Sequence, residues 1–154
     1  MLTPEQVRQG VERTAWHGRL EILSRQPLIL YDVGHNLHGI SYVVNSLQKI
    51  LPDRKFQIIL TLGERKTIAT LGQILRGIAD RLYLSEIPNG KSAPANRVAR
   101  EVRHQFPARR VVIEPSLTTV LQKVVQNLSA DDNLLILGSH YIAPIVYDFF
   151  KINI

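Results

Sequence analysis

The chain has 154 residues, of which 45% are hydrophobic and 21% charged, a balance typical of one globular domain with a sizeable core. No apolar run approaches the ~20 residues of a membrane span, the polar N-terminus is unlike a signal peptide, and the lack of cysteine excludes disulfides and thiolate chemistry. The net charge of +6 would attract anions, but the basic residues are scattered and lack interleaved aromatics, so we expect a cytoplasmic protein with neither a nucleic-acid nor a membrane partner.

The first element in chain order is a polar helix. Thr3 supplies a hydroxyl N-cap, Pro4 takes the first helical position, and Gln6 stands three residues after the cap. The segment as far as residue 14 has few apolar positions. We therefore expect a connector helix over residues 1–15, whose packing partner lies outside this chain.

Two short strands are predicted next. Residues 19–23 alternate polar and apolar side chains, as a half-exposed strand does. The connection through Pro27 is too short for a parallel crossover. This first strand should therefore run antiparallel to the apolar run at residues 28–32.

The remainder of the chain alternates helical and strand patterns. The predicted helices lie at about 37–50, 67–79, 94–105, 116–127 and 140–150. The predicted strands lie near 56–62, 82–85, 111–113 and 134–137. This alternation indicates βαβ units with right-handed crossovers and a mostly parallel sheet covered on both faces, which is a three-layer α/β/α domain.

Polar turns follow three of the predicted strands, at residues 32–36, 61–63 and 138–141. In a parallel sheet the carboxyl ends of the strands share one edge, where ligands bind against helix N-termini. Asp32, His35 and Ser139 would converge there on an anion or a small zwitterion. Taken singly, Asp32, Asn36 and Ser139 are each better explained as helix caps.

One segment imitates a phosphate-binding loop. Residues 85–92 end in Gly-Lys-Ser between a strand and a helix. Ser85 replaces the first glycine of that loop, and Pro88 removes one of the amides that would hold phosphate. We expect a surface loop in which Lys91 faces a substrate.

Two further groups of residues have simple interpretations. His35 and His38 have no third ligand nearby in sequence, so we expect no metal site in this domain. Trp16 and the pair Phe149 and Phe150 are interpreted as packing anchors.

Three segments taken together resemble a known family. They are residues 16–21 (WHGRLE), 32–36 (DVGHN) and 137–141 (LGSHY). They resemble, in order and spacing, the C-terminal domain of folylpolyglutamate synthase/dihydrofolate synthase, a family within the Mur ligase superfamily of ATP-dependent amide ligases. The resemblance implies a Rossmann-like domain over residues 16–154, with a mixed, mostly parallel six-stranded sheet that has one antiparallel strand.

The resemblance also implies a reaction. The ligase phosphorylates a folate or dihydropteroate carboxylate with MgATP, and the amine of L-glutamate then attacks the acyl phosphate. Arg19 matches an arginine that reaches the ATP phosphates, while Asp32 and Asn36 belong to a motif placed near the nucleotide ribose. His35 and Ser139 match positions associated with the incoming glutamate.

The sequence departs from the family pattern at several positions. His17 replaces a proline of the first segment, and Leu37 replaces the proline that follows the second. Lys66 is retained between two positions where the family has acids, but its neighbours are Arg65 and Thr67. Lys66 and Lys91 are therefore predicted only as substrate-facing residues.

The family's N-terminal domain has no counterpart in this sequence. That domain carries the phosphate-binding loop, the magnesium ligands and most of the folate site. We therefore expect the chain to work with an N-terminal ATPase domain of the same polypeptide, to use ATP and Mg²⁺, and to be inactive alone. The alternative is a stand-alone Rossmann-like module that binds a nucleotide or an acidic metabolite.

Overall fold

The computed structural model describes residues 3–13, 16–64, 70–88 and 90–152. Its strands are β1 (Glu21–Arg25), β2 (Leu28–Asp32), β3 (Phe56–Thr61), β4 (Ala79–Glu86), β5 (Val111–Ser116) and β6 (Asn133–Gly138). Its α-helices are α1 (Pro4–Arg13), α2 (Leu37–Ile50), α3 (Leu71–Arg76), α4 (Ala95–Arg103), α5 (Leu117–Gln126) and α6 (Ala143–Phe150). Short 3₁₀ turns occupy Ala108–Arg110 and His140–Ile142.

The strands form one mixed sheet in the order β1-β2-β6-β3-β4-β5. β1 pairs antiparallel with β2, and every other neighbouring pair is parallel. The predicted hairpin and the predicted mostly parallel sheet are both confirmed. The first strand, predicted at 19–23, begins only at Glu21, because Leu20 has φ +44° and is not extended. The register sets Asp32 opposite Leu137 and Thr61 opposite Gly138, so three strands end at the same level.

Helices cover both faces of the sheet. Buried apolar residues of α2, α3 and α4 form one core cluster with one face, and those of α5 and α6 form a second cluster with the other. Strand β6 is buried on both sides, since Leu135 and Leu137 join the first cluster while Leu134 and Ile136 join the second. Each such side chain contributes about 1.5–3 kcal/mol on burial. The three-layer prediction is confirmed.

Several local predictions are confirmed or corrected. The backbone N–H of Thr3 donates to Gln6 Oε1 (2.9 Å), and the N–H of Gln6 donates to Thr3 Oγ1 (3.2 Å), as expected of a capping box. The helix expected at 67–79 is shorter, because Ala79 already begins β4. Lys66 lies outside the described residues. Among the residues that are described, no helix is long and apolar enough to cross a bilayer.

Candidate functional site

The carboxyl edge of the sheet depends on Gly138. Its φ of +141° belongs to a region that side chains rarely adopt, and a Cβ there would overlap the carbonyl oxygen of Thr61. The N–H of Ser139 donates to that same carbonyl (3.0 Å). The close approach of β6 and β3 therefore places Ser139 at the edge, next to the end of β2.

A loop at residues 16–20, here called the Arg19 loop, lies beside the end of β2. The N–H of Leu20 donates to Asp32 Oδ2 (2.9 Å), and the N–H of Gly34 donates to Oδ1 of the same carboxylate (2.7 Å). The N–H of Val33 donates to the carbonyl of Gly18 (2.9 Å). Asp32 therefore fastens the loop that carries Arg19 to the sheet edge.

Asp32 is 4% exposed, and its charge state reflects competing influences. Burial raises the pKa of its carboxyl, while the two backbone N–H donors and the charge of Arg19 act in the opposite direction. The net pKa remains above the ordinary value. Each carboxylate oxygen keeps lone-pair capacity beyond the one amide that it accepts, so Asp32 can still accept from a ligand hydroxyl.

A cavity of about 440 Å³ opens between the Arg19 loop and α2. Its lining combines a buried acid, a cation and apolar or aromatic side chains: Trp16, Arg19, Leu20, Asp32, Gly39, Tyr42 and Val43. Trp16 and Tyr42 are 75% and 73% exposed. Such a cavity suits a ligand that has a flat ring, hydroxyl groups and a negatively charged end.

The prediction that Trp16 is a packing anchor is wrong, because its ring is exposed at this cavity. Phe149 and Phe150, in contrast, do pack against the second core cluster. Tyr42 was missed by sequence reasoning, although a signal was present. The buried residues of α2 include Ile40, Val43 and Val44, so an aromatic at position 42 points away from the core.

Asn36 begins α2. Its Oδ1 accepts from the N–H of Gly39 (2.8 Å), which makes Asn36 the N-cap of that helix. His38 is exposed in the first turn of this helix. The placement of Asn36 near a nucleotide stays a prediction, since its amide oxygen has a structural partner.

A second polar region lies at the same edge, and we call it the His35 corner: residues 35, 91 and 139–141. His35 Nδ1 lies 3.0 Å from the carbonyl oxygen of Val33, so Nδ1 donates and Nε2 is left for a ligand. The rings of His35 and His140 are 6.2 Å apart, and Lys91 Nζ lies 5.0 Å from the ring centroid of Tyr141. The sequence placed residues 138–141 at this edge but gave His140 no binding role.

Ser139 completes the corner. It is 4% exposed, and its Oγ accepts from the N–H of Tyr141 (3.3 Å), which caps the 3₁₀ turn. The corner thus combines a lysine, two imidazoles and a hydroxyl at the start of a helical turn. This set of groups can bind a small molecule that carries carboxylates.

Within the described ranges, no group of three or more His, Asp or Glu side chains is arranged to hold a metal ion. Both oxygens of Asp32 accept backbone N–H groups. These residues therefore do not form a magnesium site among themselves.

The sequence profile of the family described as "Mur ligase, glutamate ligase domain" matches residues 18–140. A folylpolyglutamate synthase of Lacticaseibacillus casei is 31% identical over 87 residues, which cover 56% of this chain and 20% of that protein. A dihydrofolate synthase/folylpolyglutamate synthase of Buchnera aphidicola is 25% identical over 122 residues, covering 79% of this chain and 28% of that protein. The chain thus spans less than a third of these relatives.

Solved structures share the fold. The bifunctional folylpolyglutamate synthase/dihydrofolate synthase of Yersinia pestis, complexed with AMPPNP and a manganese ion, superposes with a TM-score of 0.81 at 25% identity. The match covers 97% of this chain and 35% of that one. The sequence predicted a mixed, six-stranded, Rossmann-like sheet, and this chain shares that fold with the solved structure.

Proposed function

The chain belongs to the Mur ligase family, glutamate ligase domain, and on that premise we propose that it is the C-terminal domain of a folate-type amide ligase. The observation that carries this proposal is the adjacency of two unlike regions at one sheet edge. The cavity beside Arg19 and Asp32 suits a nucleotide, and the His35 corner suits an amino acid with two carboxylates. Asp32, the last residue of β2, lines the cavity, and His35 follows it by three residues.

The proposed reaction has two steps. A folate or dihydropteroate carboxylate attacks the γ-phosphorus of ATP, forming an acyl phosphate and releasing ADP. The amine of L-glutamate then attacks the acyl carbon, an amide bond forms, and inorganic phosphate leaves. In both steps negative charge develops on phosphate oxygens in the transition state, so positioned cationic donors accelerate them.

Each candidate residue has a role in this scheme. Arg19 stabilises charge on the transferring phosphoryl group, and Asp32, with Asn36 nearby, accepts from the ribose hydroxyls. His35 and Ser139 bind the incoming glutamate, and Lys91 supplies a charge for one of its carboxylates. Lys66 is proposed as a second substrate-facing lysine on sequence grounds alone.

The chemistry divides between this domain and a partner. We propose that residues 1–15 connect residues 16–154 to an N-terminal ATPase domain of the same polypeptide. Mg²⁺, when bound, neutralises phosphate charge, and its ligands would come from that domain. The chain spans 28% of one of its relatives, which supports this division. The isolated chain should therefore not turn over.

The test is a fusion in which this chain replaces the matching third of the Yersinia pestis enzyme. ADP formation should then require both L-glutamate and a folate or dihydropteroate substrate. The matched control carries Asp148→Asn, an exposed position on α6 that does not line the cavity beside Arg19. A folded fusion that forms no ADP with all substrates present would contradict the proposal.

One observation favours a second candidate function. The cavity beside Arg19 is lined by residues of this chain, so the chain could bind a nucleotide or an acidic metabolite by itself. A stand-alone module of this kind would bind AMPPNP with micromolar or tighter affinity. A ligase domain that shares its nucleotide with a partner would bind roughly a thousandfold more weakly, in the millimolar range. Quenching of Trp16 fluorescence during an AMPPNP titration separates the two.

A further inference from the structure

A second carboxylate, besides Asp32, holds the Arg19 loop. The N–H of Gly18 donates to Glu21 Oε2 (2.8 Å), and the hydroxyl of Tyr147 donates to the same oxygen (2.7 Å). His17 Nδ1 lies 2.8 Å from the other oxygen, Oε1. The Glu21 carboxylate therefore contacts two groups of the loop, at His17 and Gly18, and the Tyr147 hydroxyl of α6.

The surroundings keep this carboxylate ionised. The Glu21 side chain is 17% exposed, and burial alone would raise its pKa. The donors at Gly18, Tyr147 and His17 outweigh burial and leave the pKa of Glu21 below its ordinary value. Burial, together with the bond to Glu21, raises the pKa of Tyr147, so the phenol remains a donor.

The backbone of the Arg19 loop adopts a costly conformation, so it needs the carboxylates that accept its N–H groups. Gly18 has φ +68° and Leu20, which is not a glycine, has φ +44°. A Cβ at position 18 would also collide with the side chain of Val33. Two carboxylates fix this conformation, Glu21 through the N–H of Gly18 and Asp32 through the N–H of Leu20.

Tyr147 connects this arrangement to the other half of the site. It is buried, its ring stacks edge-on with those of Tyr31 (5.6 Å) and His17 (5.9 Å), and it lies 126 residues from Glu21 in sequence. Helix α6, which carries it, follows directly on the turn that Ser139 caps. A shift of α6 would therefore move both regions together.

We propose that Glu21 and Tyr147 are positioning residues that hold the Arg19 loop in register with α6 and the Ser139 turn. This inference rests on the role of Arg19 given under the proposed function, and it identifies the residues that fix the backbone from which that guanidinium extends. Neither residue contacts a ligand in this scheme. Their effect is to fix the loop from which Arg19 extends.

The experiment uses the chain itself and needs no activity. Trp16 is the only tryptophan in the sequence and stands in the Arg19 loop, so its fluorescence anisotropy decay reports motion of that loop. Amide hydrogen exchange at Gly18 reports the bond to Glu21, and exchange at Ile136 in the core reports global opening. The variants are Glu21→Ala, Glu21→Gln and Tyr147→Phe, with Asp148→Asn on α6 as the matched control.

Glu21→Ala should speed Gly18 exchange by about tenfold or more and increase Trp16 motion, with Ile136 exchange unchanged. Glu21→Gln should restore both signals, since its carbonyl oxygen can accept from Gly18 and Tyr147 while its amide donates to His17 Nδ1. Tyr147→Phe should lie between wild type and Glu21→Ala, and Asp148→Asn should match wild type.

Two results would overturn the inference: wild-type Gly18 exchange and Trp16 motion in both Glu21→Ala and Tyr147→Phe, or a Glu21→Gln variant that behaves as Glu21→Ala does. Tyr147→Phe keeps the buried ring, so it remains informative even where Glu21→Ala fails to fold. None of these signals requires turnover. An inactive fusion would therefore count against the proposed function and leave the loop measurements unaffected.

Discussion

The Arg19 loop and the His35 corner share one sheet edge but are held in different ways. Two carboxylates, Asp32 and Glu21, fasten the loop through its backbone N–H groups. The corner relies mainly on ring contacts among exposed or half-buried side chains, such as the Lys91–Tyr141 contact. A group that stabilises a transition state gains from a fixed position, whereas a group that selects a substrate tolerates adjustment.

The largest effect should come from the glycine on which the edge depends. Gly138→Ala should cost about 4 kcal/mol or more in the free energy of unfolding, because its Cβ overlaps the Thr61 carbonyl. Gly90→Ala is the matched control, since Gly90 also has positive φ (+71°) but has no atom within 4 Å of the added Cβ. It should cost about 1–2 kcal/mol. Urea unfolding of both variants measures the difference, and equal costs would contradict this account of the edge.

The next effect concerns the loop. Arg19→Ala in the fusion enzyme should lower kcat by roughly 10²–10³, the usual loss when a fixed donor to transition-state charge is removed. The KM for glutamate should hardly change, because that substrate belongs to the other region. Steady-state ADP formation at varied glutamate gives both constants. An unchanged kcat would contradict a role for Arg19 in the phosphoryl-transfer step.

The corner should respond in the opposite manner. Lys91→Ala should raise the KM for glutamate about tenfold with kcat largely retained, since a lost substrate contact weakens ground state and transition state alike. Arg100→Ala, an exposed cation on α4, is the control for the change in net charge. If Lys91→Ala lowered kcat and left KM alone, the distinction between the two regions would fail.

The smallest effect is a dependence of stability on pH. The pKa of Glu21 is lowered in the fold, so its stabilisation is present above its ordinary pKa and is lost as pH falls through the lowered value. The pKa of Asp32 is raised, so ionising it costs stability as pH rises from its ordinary value through the raised one. Glu21→Gln should therefore reduce the loss of stability in acid. Urea unfolding of both proteins at several pH values below 6 tests this prediction. A free energy of unfolding that falls more steeply with decreasing pH in Glu21→Gln than in wild type would contradict it.

The sequence predicted the layers and most elements because their signals are local. Alternating apolar runs and helical periodicity define β2, β3, β6 and α2 without knowledge of distant contacts. The short connection through Pro27 similarly required an antiparallel β1. The convergence of Asp32, His35 and Ser139 on one edge followed from parallel pairing alone.

What was missed depends on tertiary contacts. The exposure of Trp16 is decided by the path of the Arg19 loop, which no periodicity describes. The hydrogen bond between Tyr147 and Glu21 joins residues 126 positions apart, so no local pattern contains it. Nor did the sequence indicate that both oxygens of Asp32 would accept backbone amides, which makes it a structural residue as well as a candidate ligand contact.

If the two regions bind two different ligands, backbone amide NMR of the chain should separate them. The chain is titrated separately with AMPPNP and with L-glutamate to millimolar concentration. We predict that AMPPNP shifts the signals of Gly18, Leu20 and Gly39, while L-glutamate shifts those of Ser139 and His140. Shifts of the same residues by both ligands, or by neither, would contradict the binding of two different ligands.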